Sequence, residues 1–401
     1  MSRHAIISAL GVTQILAWGS SYYLPAVLAA PIARDTGWPL TWIVGGLSFG
    51  LLVAALVSPH VGRAIERRGG RQVLALSAIA IGAGQIGVAT APTLPLYIAA
   101  WLIIGLGMGA GLYDAAFGTL GRLYGRDARA AITTLTLFGG FASTTCWPLS
   151  AFLVSTVGWR GACLAYAAIQ LCFSLPLYLF VLPRVAPAEP GLGSATHAID
   201  APSSAKPSLA LLVTLAGTLT LAATISSLLS VHLLTILQAG GMALAAAVGL
   251  GALVGPAQVA ARTIEMAIAR YHHPIWTKLA SVSFVAIGVS ALWAGLPLIP
   301  VALAFYGGGI GLESIARGTL PLALFGASGY ATLMGRLAMP SLLAQAAAPW
   351  VGAVLLDRIG AHGTMAVVAS IAALNVALTI GLGWMVARHR FVFAKPRLEK
   401  S

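Results

Sequence analysis

The sequence predicts an all-α polytopic membrane protein with twelve transmembrane helices in two pseudo-symmetric six-helix bundles. Three observations predict it. Charged residues fill only 8% of the 401 positions and hydrophobic ones 59%, with a mean hydropathy of +0.91. A soluble domain carries ~25% charged residues, because its surface faces water. Second, apolar runs of about twenty residues recur, the length that crosses a hydrocarbon core ~30 Å thick. They are continuous rather than alternating, which selects helices over a barrel. Third, the two halves of the chain repeat each other.

The runs fall at 5–31, 40–61, 72–91, 95–121, 131–156, 161–183, 209–236, 241–262, 276–296, 299–324, 331–355 and 363–387. The first is longer than the apolar region of a signal peptide and eleven more follow, so it is expected to be retained. Residues 185–208, "VAPAEPGLGSATHAIDAPSSAKPS", are Pro/Ser/Ala-rich and read as a linker. The chain thus divides into an N-terminal bundle (1–184), a cytoplasmic linker (185–208) and a C-terminal bundle with a short tail (209–401). The remaining loops are too short for a soluble domain.

Charge gives the orientation. The net charge of +13 is unevenly spread, with eighteen Lys and Arg on the side of the termini and linker. Only Arg34, Arg160 and Arg358 lie on the other side, and Arg317 and Arg336 fall within spans. This positive-inside pattern places both termini in the cytoplasm of a cell with the protein in its inner membrane, and it needs no nucleic-acid partner. The count takes the three basic residues at 262–278 as cytoplasmic, and Arg336 as snorkelling toward that side. Cys146, Cys163 and Cys172 form no CxxC pair and read as small apolar fillers.

The repeat is seen by setting "GAGLYDAAFGTL" (109–120) above "GIGLESIARGTL" (309–320). "LVSP" (56–59) likewise echoes "LVGP" (253–256), and Pro148 echoes Pro349. Two six-helix halves with a midplane site between them form the architecture of many secondary transporters.

Few polar residues lie inside spans, and each asks for a reason. A charge at the bilayer centre costs ~2.5–3.5 kcal/mol on insertion scales. Glu313 and Arg317 stand four apart on one helical face, where they can neutralise each other as a structural pair. Alternatively, Arg317 holds an anionic substrate by forked hydrogen bonds and Glu313 carries a proton. Tyr113 aligns with Glu313 in the repeat and joins the candidate substrate contacts. Asp114 either relays protons or ties span 4 to a neighbour. His232 either senses protonation or bonds across a helix interface. Gln14, Trp18 and Tyr22 recur every fourth residue on span 1, as a cavity stripe or as helix packing.

The loop after span 2 carries a motif. "GRAIERRGGRQVL" (62–74) resembles the signature loop of the major facilitator superfamily, Gly-x-x-x-Asp-Arg-x-Gly-Arg-Arg/Lys with a later Leu. Gly62, Glu66, Arg67, Gly69, Arg71 and Leu74 fill the pattern, with Glu66 in place of Asp. The resemblance implies the major facilitator fold and makes this loop a conformational latch. Within the superfamily, "LYGRDARAAITTLTLFGG", "GWRGA", "VHLLTILQAGG" and "GPAQVAAR" are similar to bacterial relatives of monocarboxylate porters. That implies alternating access for a small organic anion, coupled to protons. Proton-coupled drug efflux is the alternative, although Trp147-Pro148 stands where those pumps usually carry Gly-Pro.

An enzyme or sensor is the reading from another class. "GLSFG" (46–50) matches G-x-S-x-G, but that motif needs a strand–turn–helix setting and this string lies in a helix. His272-His273 lacks companions for a metal site. No G-x-x-x-x-G-K-[ST] loop occurs, so ATP does not drive the protein and no cofactor is expected. The expected partners are the bilayer and a small-molecule substrate, with the chain acting as a monomer.

Overall fold

The computed structural model describes residues 2–184 and 208–393. The linker positions 185–207 and the end of the tail lie outside the described residues. Among these residues, nine helical stretches are long and apolar enough to cross a membrane. Two of the nine, Ala128–Val181 and Tyr330–Arg388, each hold two spans. They are divided at Gly158 (φ 70°) and Gly360 (φ 69°), where the backbone enters the left-handed region that suits glycine. A further span, the first in the chain, consists of Arg3–Gly19 and Pro25–Thr36. The twelve expected spans are thereby all found. The two corner glycines occupy matching positions in the two halves, between spans 5 and 6 and between spans 11 and 12.

Several spans are broken where small or polar residues interrupt the apolar run. Span 1 turns at 20–24 before Pro25 restarts the helix. The freed carbonyl of Ser20 accepts from Gln85 Nε2, and the Ser20 hydroxyl accepts from Gln170 Nε2 at 2.8 Å. Backbone groups released inside a bilayer must find such partners. Span 4 divides into Leu94–Gly111 and Tyr113–Tyr124 around Leu112, whose backbone is extended. Span 8 divides into Leu244–Gly251 and Val254–Ile268. Span 9, Pro274–Trp293, starts with proline at its first position and accepts a cap from His273, whose Nδ1 takes the Ile275 amide at 3.2 Å. At the ends of spans 1 and 6, Arg160 and Trp159 donate to Asp35.

The halves meet along spans 2 and 11 and along spans 4, 5, 8 and 10. Ala338 and Leu342 of span 11 pack with Leu51, Ala54 and Ala55 of span 2 in one apolar cluster. Nearer the termini, Tyr330, Ala331 and Met334 join Ile65, Phe117 and Leu120 in a second cluster. Tyr330 donates its hydroxyl to Gly318 O at 2.6 Å. Arg129 donates to His272 O at 2.9 Å, a bond from one half to the other. The bundle is therefore sealed at the end that carries residue 3, the 68–70 loop and the 326–329 loop.

Candidate functional site

A cavity of about 180 Å³ lies between the halves. The first half contributes Trp18, Tyr22, Tyr23, Tyr113 and Asp114 to its wall, and the second contributes Gln258, Arg262, Ser281, Tyr306, Glu313 and Arg317. Its floor is charged. Arg317 holds Asp114 by two parallel hydrogen bonds, Nε to Oδ1 and Nη2 to Oδ2, both 2.9 Å. Asp114 enters from the first turn of the restarted half of span 4, where acidic side chains are favoured. This forked pair joins the two halves at a point where both side chains are 16% exposed.

Glu313 has a different partner. Lys278 Nζ lies 2.5 Å from Glu313 Oε1, and the Ser281 hydroxyl lies 2.8 Å from Oε2. Lys278 is fully buried and also donates to Thr218 O at 3.3 Å. The expected Glu313–Arg317 pair is accordingly not formed: each finds a counter-charge on another helix, Lys278 for Glu313 and Asp114 for Arg317.

Arg262 completes the site. Its guanidinium is buried and donates to Thr136 O (3.1 Å), Gly311 O (3.3 Å) and Gln258 Oε1 (3.2 Å). Among the described residues it forms no ion pair with a carboxylate. Two glycines of span 5 give it room. A Cβ on Gly140 would collide with the Arg262 guanidinium, and one on Gly139 with the Tyr113 hydroxyl. The cavity and its margin thus hold three cationic side chains, Arg262, Arg317 and Lys278, against two carboxylates.

The expected site residues divide. Tyr22, Tyr113, Asp114, Glu313 and Arg317 all line the cavity. Gln14 does not: it is buried and donates Nε2 to Gly111 O at 2.6 Å, capping the carbonyl freed by the break in span 4. His232 lies away from the cavity too, with Nε2 2.8 Å from Pro349 O of span 11. Arg317 does not present a free fork, because Asp114 already occupies it. Arg262 and Lys278, taken from the sequence as cytoplasmic loop charges, lie inside spans. Helix continues to Ile268 beyond Arg262, and span 9 begins at Pro274, one turn before Lys278. The Pro at the start of that helix was the available signal for Lys278.

The signature loop joins the halves as well. Glu66 Oε2 accepts the Ala331 amide at 3.1 Å, so a carboxylate of span 2 caps the N-terminus of span 11. Gly62 faces Ala331 and Gly335 so closely that a Cβ would meet backbone. Arg67 is exposed, Gly69 carries the turn at φ 82°, and Arg71 is half-buried. Among the described residues, the hydrogen bond of the Glu66 carboxylate goes to a main-chain amide.

Two helical bundles closed on each other over a charged cavity define an α-helical, multi-pass membrane protein with an internal cavity. The model of the Major Facilitator Superfamily matches residues 10–268, and the chain belongs to that superfamily. An uncharacterized 38 kDa protein in the 23S RNA operon of Thermoproteus tenax is 32% identical over 168 residues, covering 42% of this chain and 44% of that protein. Monocarboxylate transporter 11 of Homo sapiens is 33% identical over 160 residues, 39% of this chain and 32% of that protein. The chain spans less than half the length of these curated relatives. In structure it is similar to the human organic anion transporter MFSD10 (TETRAN), with a TM-score of 0.74 at 18% identity over 94% of this chain and 100% of that one. The proton:xylose symporter XylE gives a TM-score of 0.71 at 12% identity over 94% of this chain and 95% of that one. At such identities the likeness establishes the fold.

Proposed function

We propose that the chain is a secondary active transporter, not an enzyme, that moves a small organic anion across the inner membrane. The halves 1–184 and 209–401 alternate access to the cavity, and the termini and linker face the cytoplasm. One observation carries the reading: Arg262 offers a buried guanidinium to the cavity with no carboxylate to neutralise it. A carboxylate on the solute would supply the missing charge through a forked, charge-assisted contact. The surplus of one cation also argues against cationic drugs. So does the volume, since sites for drug-sized ligands run from ~300 Å³ upward. Two similar proteins, a monocarboxylate transporter and an organic anion transporter, agree with this sign of charge.

Proton coupling is assigned to the Asp114–Arg317 pair. Opening the sealed end pulls the two residues apart, and a lone buried charge is costly. Protonated Asp114 releases Arg317 without leaving a bare carboxylate. Glu313, one helical turn away, then stands on the same face to receive the guanidinium. Purified protein in liposomes, given an inward proton gradient, should accumulate an intact carboxylate. Arg262→Gln should lower affinity ~10- to 100-fold, the worth of a charge-assisted bond, and Arg262→Lys should recover part of it. Conversion of the solute without flux, or flux that ignores position 262, would overturn the proposal.

A further inference from the structure

We infer that the solute is an aryl carboxylate, its ring held by an aromatic wall of the first half and its carboxylate by Arg262 of the second. The inference rests on Arg262 being the counter-ion of the anion, and it adds what the rest of the solute is. Trp18 stands at the centre of the wall, with ring centroids 5.3 Å from Tyr22, 6.0 Å from Tyr23 and 5.2 Å from Tyr113. Tyr22 and Tyr23 meet edge to face at 5.4 Å. These separations lie in the range where aromatic rings attract, and each ring presents further edges and faces to a fifth. All four rings line the cavity and none is fully buried, so the cluster is not closed on itself.

The wall and the cation are neighbours. Thr136 O accepts from Arg262 Nη1 at 3.1 Å and from the Tyr113 hydroxyl at 3.5 Å, so a single carbonyl separates the anion's counter-ion from the ring surface. The indole Nε1 of Trp18 is buried without a hydrogen-bond partner among the described residues. A two- or three-carbon aliphatic acid satisfies Arg262 but leaves the aromatic wall without a partner.

Calorimetric titration of the full-length protein in detergent tests this with benzoate, cyclohexanecarboxylate, propionate and benzyl alcohol. Benzoate should bind about fivefold more tightly than its saturated ring analogue, the margin of one or two aromatic contacts. Propionate should be weaker still, and benzyl alcohol should not bind. Trp18→Leu, and separately Tyr23→Leu, should bring the benzoate-to-cyclohexanecarboxylate ratio close to one while cyclohexanecarboxylate still binds, which shows the variant folded. Equal affinities for the three acids, all abolished by Arg262→Gln, would refute the aryl inference and leave the anion assignment standing. Benzyl alcohol binding as well as benzoate, indifferent to Arg262→Gln, or no binding of any acid, would refute both.

Discussion

Asp114→Asn tests whether a single ion pair holds the halves closed. The substitution keeps the size of the side chain and removes the charge that receives both hydrogen bonds from Arg317. Removing one partner of a buried pair costs ~3–5 kcal/mol. Here each side chain keeps 16% exposure, and Glu313 stands one turn from Arg317 as an alternative partner, so we take ~2 kcal/mol as the share lost from the closed state. At 1.4 kcal/mol per factor of ten, that moves the equilibrium between sealed and open forms about 30-fold toward opening. Spin labels at Gln72→Cys and Ser328→Cys report it, since both positions are exposed at the sealed end and lie on opposite halves. Cys172 is exposed and is replaced by serine in the background, whereas Cys146 and Cys163 are buried. The pulsed dipolar distance distribution should gain a longer component in Asp114→Asn. Glu313→Gln is the control, because Lys278 and Glu313 belong to the same half and their separation does not open the seam. An unchanged distribution in Asp114→Asn, or the same lengthening in both variants, would refute the reasoning.

Glu313→Gln alone should lower the melting temperature by leaving Lys278 charged and fully buried, and Glu313→Gln/Lys278→Met should restore most of it; a double variant no more stable than the single one would count against the pair. Ser328→Cys should resist membrane-impermeant thiol reagents in intact cells and react once they are opened, and ready labelling in intact cells would reverse the orientation. Exchange of labelled for unlabelled anion should outrun net efflux from loaded liposomes, and equal rates would show that the empty carrier reorients freely.

The bundle architecture was legible because it depends on features that sequence carries locally. Apolar runs mark spans, whereas the corners at Gly158 and Gly360 emerge from the backbone. The site was legible where a charge sat deep inside a run, as Asp114, Glu313 and Arg317 do, and where the repeat or helical spacing pointed to Tyr113 and Tyr22. Arg262 and Lys278 lie within a turn or two of a span end, where hydropathy cannot distinguish a snorkelling cation from one drawn inward by a partner on another helix. Their partners are tertiary: Thr136 lies on span 5 and Glu313 on span 10. Gln14 misled for the opposite reason, since its periodicity with Trp18 is real but the broken carbonyl it serves, Gly111, is invisible in sequence. The repeat register also needed coordinates. Gly118-Thr119-Leu120 and Gly318-Thr319-Leu320 do correspond, with Thr119 and Thr319 each bonded four residues back. Upstream, however, Gly107 packs on Ser77 and Ile81 as Gly309 packs on Ser281 and Val285, an offset two residues longer than at Gly118. The break at Leu112 in span 4, absent from the continuous span 10, absorbs the difference.

Charge balance at the cavity links these parts into one cycle. With two carboxylates against three cations, an empty cavity closed at both ends encloses one net positive charge. On insertion scales a single unbalanced charge at the bilayer centre costs ~2.5–3.5 kcal/mol. At 1.4 kcal/mol per factor of ten, that slows passage of the empty carrier through an occluded form by about 100-fold. Under the proposed function, a carboxylate bound without a proton would remove the penalty by neutralising Arg262, so that this form would close where the empty one hesitates. A proton arriving on Asp114 has the opposite effect, since it adds a positive charge to the same enclosed space. The proton and the anion therefore offset each other: the form holding both would enclose +1, as the empty form does, against +2 for the proton alone, so a bound anion favours protonation. Coupling between them then needs no direct contact, only a shared cavity sealed from water by Glu66, Gly62 and Tyr330 at one end.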